Sequence, residues 1–328
     1  MFQTEIIHFI QSFSNPALTI FMKIITSLGY EEFLIGFVLV IMFGVDFRKG
    51  FYLFHLVLLT GILTEFFKQY FAFPRPYAVD STVKIFSGNS QNLAPFKNMG
   101  AKVFFELLPR EVIDYYRSIK GASFGLPSGH TSIAIVLWGS VIVLFKNKTL
   151  RIIALSLIFL IPFSRIYLGL HFLAGVLGGY FLGGIILLFF YIFFIRFQWI
   201  DSFSFYKVSI RQILMIMYLL LLPILFRIFI PNIYPQLQGA LLGLNLAFIL
   251  ISKGGTPILK KEILKRAGNI FLIIILLGLS ALFVLLIFSL LPDNFHGSLM
   301  NFSKYFLIIF LSFWSASRFG LKLKLTSK

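Results

Sequence analysis

Long apolar runs dominate this chain, and short connectors that carry most of its charges separate them. Nine of these runs are long enough for a membrane-crossing helix, because a crossing needs about 20 apolar residues. The predicted spans lie near residues 30–46, 50–72, 128–145, 149–166, 171–195, 212–230, 236–252, 267–291 and 302–318. The pattern therefore predicts an all-α, polytopic helical membrane protein with about nine transmembrane helices.

The first 29 residues show a different pattern. Apolar residues between Phe2 and Phe13 recur at helical spacing, which is typical of a helix lying in the membrane interface. The apolar segment 16–28 is too short to cross and is expected only to dip into the bilayer. We predict N-terminal interfacial helices in residues 1–29, a helical core in 30–198 and a four-span region of unknown role in 199–328.

Composition agrees with lipid as the solvent. Of the 328 residues, 59% are hydrophobic and 12% are charged, whereas a soluble domain is about a quarter charged. Such a composition excludes a disordered chain and argues against a nucleic-acid partner, despite the net charge of +17. The absence of cysteine excludes disulfides, thiolate metal sites and cysteine nucleophiles.

The basic residues predict the orientation of the spans. Connectors on one side carry 17 Lys and Arg residues, and the short connectors 167–170, 231–235 and 292–301 on the other side carry none. The positive-inside rule places the basic side in the cytoplasm. The long outer segment 73–127 is an exception with seven basic and four acidic residues, which an anionic ligand would explain.

Two histidines and three cations are expected at the outer ends of neighbouring spans. Although a hundred residues separate the first from the last, the topology brings them to one level of the membrane. These residues are Lys68, Arg75, His130, Arg165 and His171. Three cations match the three non-bridging oxygens of a phosphate. Two imidazoles allow one to attack phosphorus and the other to protonate the departing alkoxide.

The start of the third span adds an anion site of its own. Ser128 begins the helix, so the free amides of Gly129 and His130 and the helix dipole favour a bound anion. Each residue alone also has an ordinary explanation, such as a snorkelling lysine or a helix cap. Because the residues lie together at one membrane level, a functional site is the better interpretation.

Three patterns in order carry a family resemblance: Lys68-x6-Arg75-Pro76, Pro127-Ser128-Gly129-His130 and Ser164-Arg165-x5-His171. They resemble the signature motifs of the type 2 phosphatidic acid phosphatase family, which also includes glucose-6-phosphatase and vanadium haloperoxidases. The resemblance covers roughly residues 15–195, so the core 30–198 is expected to be the catalytic part. It implies a metal-independent phosphatase without a cofactor.

The resemblance also implies a role for each residue. His171 would be the nucleophile that forms a phosphohistidine, and His130 would be the general acid. The phosphoryl oxygens would be held by Lys68, Arg75, Arg165, Ser128 and Gly129.

The sequence departs from the family pattern at Gly175, where an Asp usually orients the nucleophilic histidine. Without an acceptor, the tautomer and the ring orientation of His171 are less well fixed. Three explanations stay open. The acceptor is a backbone carbonyl or another acid, or it is dispensable as in the glucose-6-phosphatases, or the protein is slow or inactive. The candidate acids are Glu65, Asp80, Glu106, Glu111 and Asp114.

The outer segment 73–127 is expected to cover the site as a lid. Apolar residues from Phe104 to Ile119 recur at helical spacing beside Arg110 and Arg117, which predicts an interfacial helix bent at Pro109. A lipid tail would lie against its apolar face. A helix that merely packs against the core is the alternative.

The expected function is removal of phosphate or pyrophosphate from a lipid at the periplasmic face of a bacterial inner membrane. The expected partners are a phosphorylated lipid and membrane lipids. The identity of the lipid and the oligomeric state stay open. One alternative is a non-catalytic lipid-phosphate binding or transport protein, favoured by Gly175 and the four additional spans. Another is a nine-span phosphatase of a soluble phosphate ester.

Overall fold

A computed structural model describes residues 1–86, 94–197, 209–253, 255–292 and 297–327. The helices are α1 Glu5–Ser12, α2 Pro16–Ser27, α3 Glu31–Val40, α4 Phe47–Phe71, α5 Pro76–Val79, α6 Arg110–Ser118, α7 Gly129–Leu144, α8 Lys148–Tyr167, α9 Leu173–Phe190, α10 Ile210–Phe229, α11 Pro235–Ser252, α12 Ile263–Ser289 and α13 Ser298–Lys322. Short π-helical stretches, Ile41–Val45 and Tyr191–Arg196, follow α3 and α9. Two short strands, β1 Ile258–Leu259 and β2 Thr326–Ser327, pair antiparallel.

The predicted all-α membrane fold is confirmed. Within the described ranges, seven helical segments are long and apolar enough to cross a membrane. An eighth span is possible if α2 and the segment Glu31–Val45, which form a bent pair, are counted as one. The predicted number of about nine is thus approximate. Span 30–46 belongs to the bent pair, and span 128–145 is the helix α7 of 16 residues.

The chain forms two compact units, and each unit is built from two separate stretches. The first unit comprises Met1–Leu34 and Leu63–Leu188, and the second comprises Ile35–Ile62 and Phe189–Lys328. The boundary predicted at 198/199 lies outside the described residues, and the boundary at 29/30 stays a prediction.

In the first unit, α8 packs against α1, α2 and α7. The N-terminal helix α1 buries Ile7 and Gln11. The side chain of Gln11 donates to the carbonyls of Lys84 (2.8 Å) and Tyr167 (3.0 Å) and accepts from the Lys84 amide (3.0 Å). These bonds fix the start of the chain beside the turn that carries His171.

The close approach of α9 to the start of α7 depends on a glycine. A Cβ at Gly179 would lie 2.6 Å from Thr131 Cβ and 2.8 Å from the Ser128 carbonyl oxygen. Since no side chain fits there, glycine lets the two helices come close enough to share the site.

The outer segment differs from the expected bent helix. The helix α6 covers only Arg110–Ser118, and Pro109 is its N-cap residue rather than a bend within it. A proline that has no amide hydrogen suits a helix start, where that amide would have no partner anyway. Val112 and Ile113 are buried in the apolar core of the first unit, whereas Tyr115 is exposed. The prediction that Pro109 bends a helix running from Phe104 was therefore wrong.

In the second unit, α11 packs against α10 and α13, and α12 packs against α13. His55 is buried there between Asn245 Oδ1, at 2.8 Å from its Nδ1, and the Tyr218 hydroxyl, at 2.9 Å from its Nε2. Asn245 Nδ2 donates in turn to the Leu219 carbonyl at 2.7 Å. This network satisfies the polar groups of His55 inside an apolar helix bundle.

Candidate active site

All five charged or imidazole residues predicted for the site lie together in the first unit. His171 and Arg165 are buried, with exposed fractions of 2% and 5%. Lys68, Arg75 and Arg165 all interact electrostatically with both His130 and His171. The topology therefore brings the two imidazoles and the three cations together, as the span ends predicted.

His171 lies in the turn between α8 and α9, and hydrogen bonds fix its tautomer. Its Nδ1 is 2.8 Å from the carbonyl oxygen of Gly125. Because a carbonyl can only accept, Nδ1 carries the hydrogen and Nε2 keeps its lone pair. Burial, followed by the charges of Arg75 and Arg165, holds the pKa of His171 well below its ordinary value of 6.5. The ring is thus neutral near pH 7, and the lone pair of Nε2 is available.

The Gly125 carbonyl occupies the position of the missing acceptor. A Cβ at Gly175 would lie 2.5 Å from the Gly125 oxygen and 3.2 Å from His171 Nδ1. A side chain at position 175 and the carbonyl of Gly125 therefore compete for the same space. Of the explanations considered from sequence, the geometry favours a backbone acceptor.

Three of the five candidate acids have other partners. Glu65 lies 3.4 Å from Lys68 Nζ and accepts from Gln69 at 2.8 Å. Asp80 accepts from Thr82 and pairs with His8 at 3.0 Å. Glu106 accepts from the amides of Lys102 and Val103.

Arg75 is held by two backbone carbonyls, one of them from Leu170, the residue before His171. Its Nη1 donates to the Leu170 carbonyl (3.1 Å), and its Nε donates to the Ser123 carbonyl (3.1 Å). The same Nη1 lies 3.3 Å from His171 Nε2. The guanidinium therefore faces the nitrogen that would attack phosphorus.

Arg165, near the end of α8, is oriented by the N-terminal helices. Its Nη1 donates to Thr26 Oγ1 at 2.7 Å, and Tyr30 is a second hydrogen-bond partner of its side chain. Its Nε is buried and has no partner among the described residues. This Nε is a donor available to an anion.

The start of α7 also presents unused polar groups. Ser128 is its fully buried N-cap residue, yet its hydroxyl makes no cap bond and has no partner in the described part of the chain. His130 Nε2 is likewise buried without a partner there. A Cβ at Gly129 would lie 3.9 Å from Lys68 Nζ. The helix start thus faces the Lys68 ammonium, and its free amides add to the positive potential.

Sequence reasoning missed four residues of this region. Thr26 and Tyr30 contact Arg165, Gly125 accepts from His171, and the Thr64 hydroxyl is buried beside Gly129 without a partner among the described residues. The spacing of Thr64, one helical turn before Lys68 on α4, was a usable signal. Thr26, Tyr30 and Gly125 lie outside the three patterns, and their residue types alone indicate no chemistry.

The donor set suits an oxyanion rather than a metal. Across the described ranges, no group of three or more His, Asp or Glu residues is placed to hold a metal ion. Three cations, a hydroxyl and a helix start instead provide hydrogen-bond donors, and a neutral imidazole with a free lone pair lies among them. This arrangement can bind a phosphoryl group and attack it.

Comparisons with known proteins agree with this interpretation. The family model PAP2 superfamily matches residues 49–199. Phosphatidylglycerophosphatase B of Bacillus subtilis is 37% identical over 99 residues, covering 27% of this chain and 47% of that protein. Lipid A 4'-phosphatase of Porphyromonas gingivalis is 35% identical over 81 residues, covering 23% of this chain and 34% of that protein. The chain thus spans half or less of the length of these curated relatives.

Among solved structures, the crystal structure of Aquifex aeolicus LpxE is similar, with a TM-score of 0.43 and 22% identity. The match covers 58% of this chain and 94% of that one.

Proposed function

We propose, from the premise that residues 49–199 belong to the PAP2 superfamily, that this chain is an integral membrane phosphatase of a lipid phosphate. The observation that carries the proposal is the neutral, buried His171. Its Nε2 faces Arg75, its Nδ1 donates to the Gly125 carbonyl, and Lys68 and Arg165 also act electrostatically on the ring. Pure binding of an anion needs no imidazole with a free lone pair.

The first chemical step transfers the phosphoryl group to the enzyme. His171 Nε2 attacks phosphorus and forms an N–P bond, while the ester P–O bond breaks and its electron pair goes to the leaving oxygen. The negative charge of the bound phosphate offsets the neighbouring cations and favours protonation of His130, which then gives that oxygen a proton. The Gly125 carbonyl, bonded to Nδ1–H, stabilises the positive charge that develops on the His171 ring.

The second step restores the enzyme. Neutral His130 takes a proton from water, the resulting hydroxide attacks phosphorus, and the N–P bond breaks. The electron pair returns to His171 Nε2 and phosphate leaves. No step requires a metal ion.

The developing charge on the phosphoryl oxygens is stabilised by groups already in place. Arg75 and Arg165 provide guanidinium donors, Lys68 provides an ammonium, and Ser128 and the Gly129 amide provide neutral donors. Substrate binding would move the Nη1 hydrogen of Arg75 from His171 Nε2 to a phosphoryl oxygen, which frees the lone pair for attack.

A lipid substrate is favoured by the surroundings of the site. The residues lie at ends of α4, α7, α8 and α9, and three of these four helices belong to segments that are long and apolar enough to cross a membrane. The names of both curated relatives describe phosphatases of lipids. The basic connectors on the other side favour a site on the outer, periplasmic face of a bacterial inner membrane.

The test is phosphate release by the purified protein in detergent with EDTA present. The panel contains phosphatidic acid, phosphatidylglycerol phosphate, a lipid A disaccharide, undecaprenyl diphosphate and glucose 6-phosphate. We expect release from at least one lipid, abolished by His171→Ala and retained by His8→Ala, because His8 pairs with Asp80 instead. An acid-labile, radiolabelled phosphoenzyme should form in His130→Ala and be absent in His171→Ala.

Other outcomes would refute the proposal. Binding of a lipid phosphate without release of phosphate would support a binding or transport protein. Release from glucose 6-phosphate alone would support a phosphatase of soluble esters.

A further inference from the structure

We infer that residues 26–30, the end of α2 and the bend that leads to α3, form a wall of the phosphate site in which Thr26 and Tyr30 position Arg165 and His130. The bend precedes the stretch 49–199 that matches the family model, and none of the three sequence patterns includes it. The inference rests on the proposed function of the site, but its test by anion binding does not require turnover.

The first observation is the support of Arg165. Thr26 is 4% exposed, and its Oγ1 accepts from Arg165 Nη1 at 2.7 Å. The side chain of Tyr30 is a further hydrogen-bond partner of Arg165. These contacts restrict the orientation of the guanidinium and leave its unpaired Nε as a donor for a phosphoryl oxygen.

The second observation is the confinement of His130. Its Nε2 has no hydrogen-bond partner among the described residues, so packing must hold the ring in place. The Tyr30 ring meets it edge to face, with centroids 4.9 Å apart and planes at 90°. A Cβ at Gly29 would lie 2.6 Å from His130 Cδ2. Glycine at 29 therefore lets the bend lie directly against the imidazole that would protonate the leaving group.

The local sequence explains why the chain turns at this point. The amide of Gly29 donates to the Thr26 carbonyl at 3.0 Å, and the amide of Tyr30 donates to the Ser27 carbonyl at 3.2 Å. These two bonds close the turn after α2, and α3 begins at Glu31. Thr26, Gly29 and Tyr30 consequently reach Arg165 and His130 from one short turn.

The test uses Tyr30→Phe and Thr26→Val, which remove one hydroxyl each. Orthovanadate, which imitates the five-coordinate phosphorus of the transition state, and inorganic phosphate serve as probes in calorimetric titrations. When Arg165 loses this support, weakening of its own hydrogen bond to the anion corresponds to an affinity loss of about 3- to 10-fold. We expect this loss of affinity for orthovanadate and a smaller loss for phosphate. The fall in kcat/KM should equal the loss of affinity for orthovanadate.

Matched variants separate positioning from folding. Tyr70→Phe, at a tyrosine that is 72% exposed, and Thr149→Val, at an exposed threonine on the Arg165 helix, should leave both affinities unchanged. Thr26→Ser keeps the hydroxyl and should restore the affinity that Thr26→Val loses. A merely structural role would lower the binding stoichiometry or the melting temperature without changing the affinity for orthovanadate.

Gly29→Ala tests the contact with His130. Because the added methyl displaces the imidazole, we expect kcat to fall about 10-fold or more while the affinity for phosphate changes less than twofold. Gly184→Ala is the control, since a Cβ there meets nothing within 4 Å.

The inference is overturned if Tyr30→Phe and Thr26→Val bind orthovanadate as tightly as the wild type, or if Thr26→Ser is as weak as Thr26→Val. The proposed function fails by a different result, namely that wild type and His171→Ala release no phosphate from any substrate. In that case the titrations with orthovanadate and phosphate still decide the role of the bend.

Discussion

Substitution of Gly175 tests how His171, the proposed nucleophile, is oriented. In Gly175→Ala, the new Cβ would lie 2.5 Å from the Gly125 carbonyl oxygen, whereas ordinary contact begins at 3.4 Å. Relief of this contact needs a displacement of about 0.9 Å, the difference between these distances. A displacement of this size would lengthen the 2.8 Å distance between His171 Nδ1 and the Gly125 oxygen beyond about 3.2 Å, the upper limit of an ordinary hydrogen bond.

The expected loss follows from the charge on the ring. When Nε2 binds phosphorus, the imidazole becomes cationic, so the bond to Gly125 is one to a charged group and contributes about 1.5–3 kcal/mol. Its loss should lower kcat about 10- to 150-fold. Gly175→Asp should be no better, because its larger side chain meets the same carbonyl and adds a negative charge beside the phosphate site.

The assay is steady-state phosphate release at saturating substrate, together with the single-turnover rate of phosphoenzyme formation. Gly184→Ala on the same helix is the matched control and should retain kcat within twofold. If Gly175→Ala also retains kcat within twofold, or if Gly175→Asp raises it, then Gly125 is not the acceptor that matters.

Further predictions concern the nucleophile, the start of α7 and the buried network of the second unit. Because the pKa of His171 is lowered, Nε2 stays unprotonated until the pH falls well below 6.5. We therefore expect kcat/KM, after correction for the ionisation of the substrate, to decline only well below pH 6.5. A decline centred at pH 6.5 or higher would contradict the assignment. Ser128→Ala should lower kcat/KM about 10- to 150-fold with an unchanged melting temperature, because its hydroxyl makes no cap bond. The control Ser209→Ala removes a capping box and should lower the free energy of unfolding by about 1 kcal/mol without changing the kinetics. An equal loss of stability in Ser128→Ala and Ser209→Ala would contradict this prediction. His55→Leu leaves Asn245 Oδ1 and a tyrosine hydroxyl unpaired, so unfolding experiments should show a loss of about 1–3 kcal/mol for each group; wild-type stability would show that the network is dispensable.

The sequence predicted the fold class and the gathering of the charged residues for a simple reason. Apolar runs define spans, and alternation of spans across a membrane decides which span ends share a face. Lys68, Arg165 and His171 therefore could be placed together without any knowledge of packing. The number of spans was less certain, because α7 is short and α2 and α3 bend at a turn that apolar content alone does not reveal.

The supporting contacts of the site could not be predicted in the same way. Gly125 acts through a carbonyl that every residue possesses, so its residue type carries no signal for that role. Thr26 contacts Arg165 from the last turn of α2, and Tyr30 does so only because the chain turns directly after that helix. Pro109 was expected inside a helix, but the helix begins after it, since periodicity does not fix where a helix starts.

The interleaving of the two units has a consequence for how the chain is made. The second unit takes Ile35–Ile62 from early in the sequence and otherwise consists of residues from Phe189 onward. His55 is therefore translated 163 residues before Tyr218 and 190 residues before Asn245, its two hydrogen-bond partners. At about 5–20 residues per second, the ribosome needs roughly 10–40 s to supply them. During that interval the imidazole of His55 lacks the two partners that satisfy it in the folded protein, so its polar atoms are paired only after most of the chain has been made.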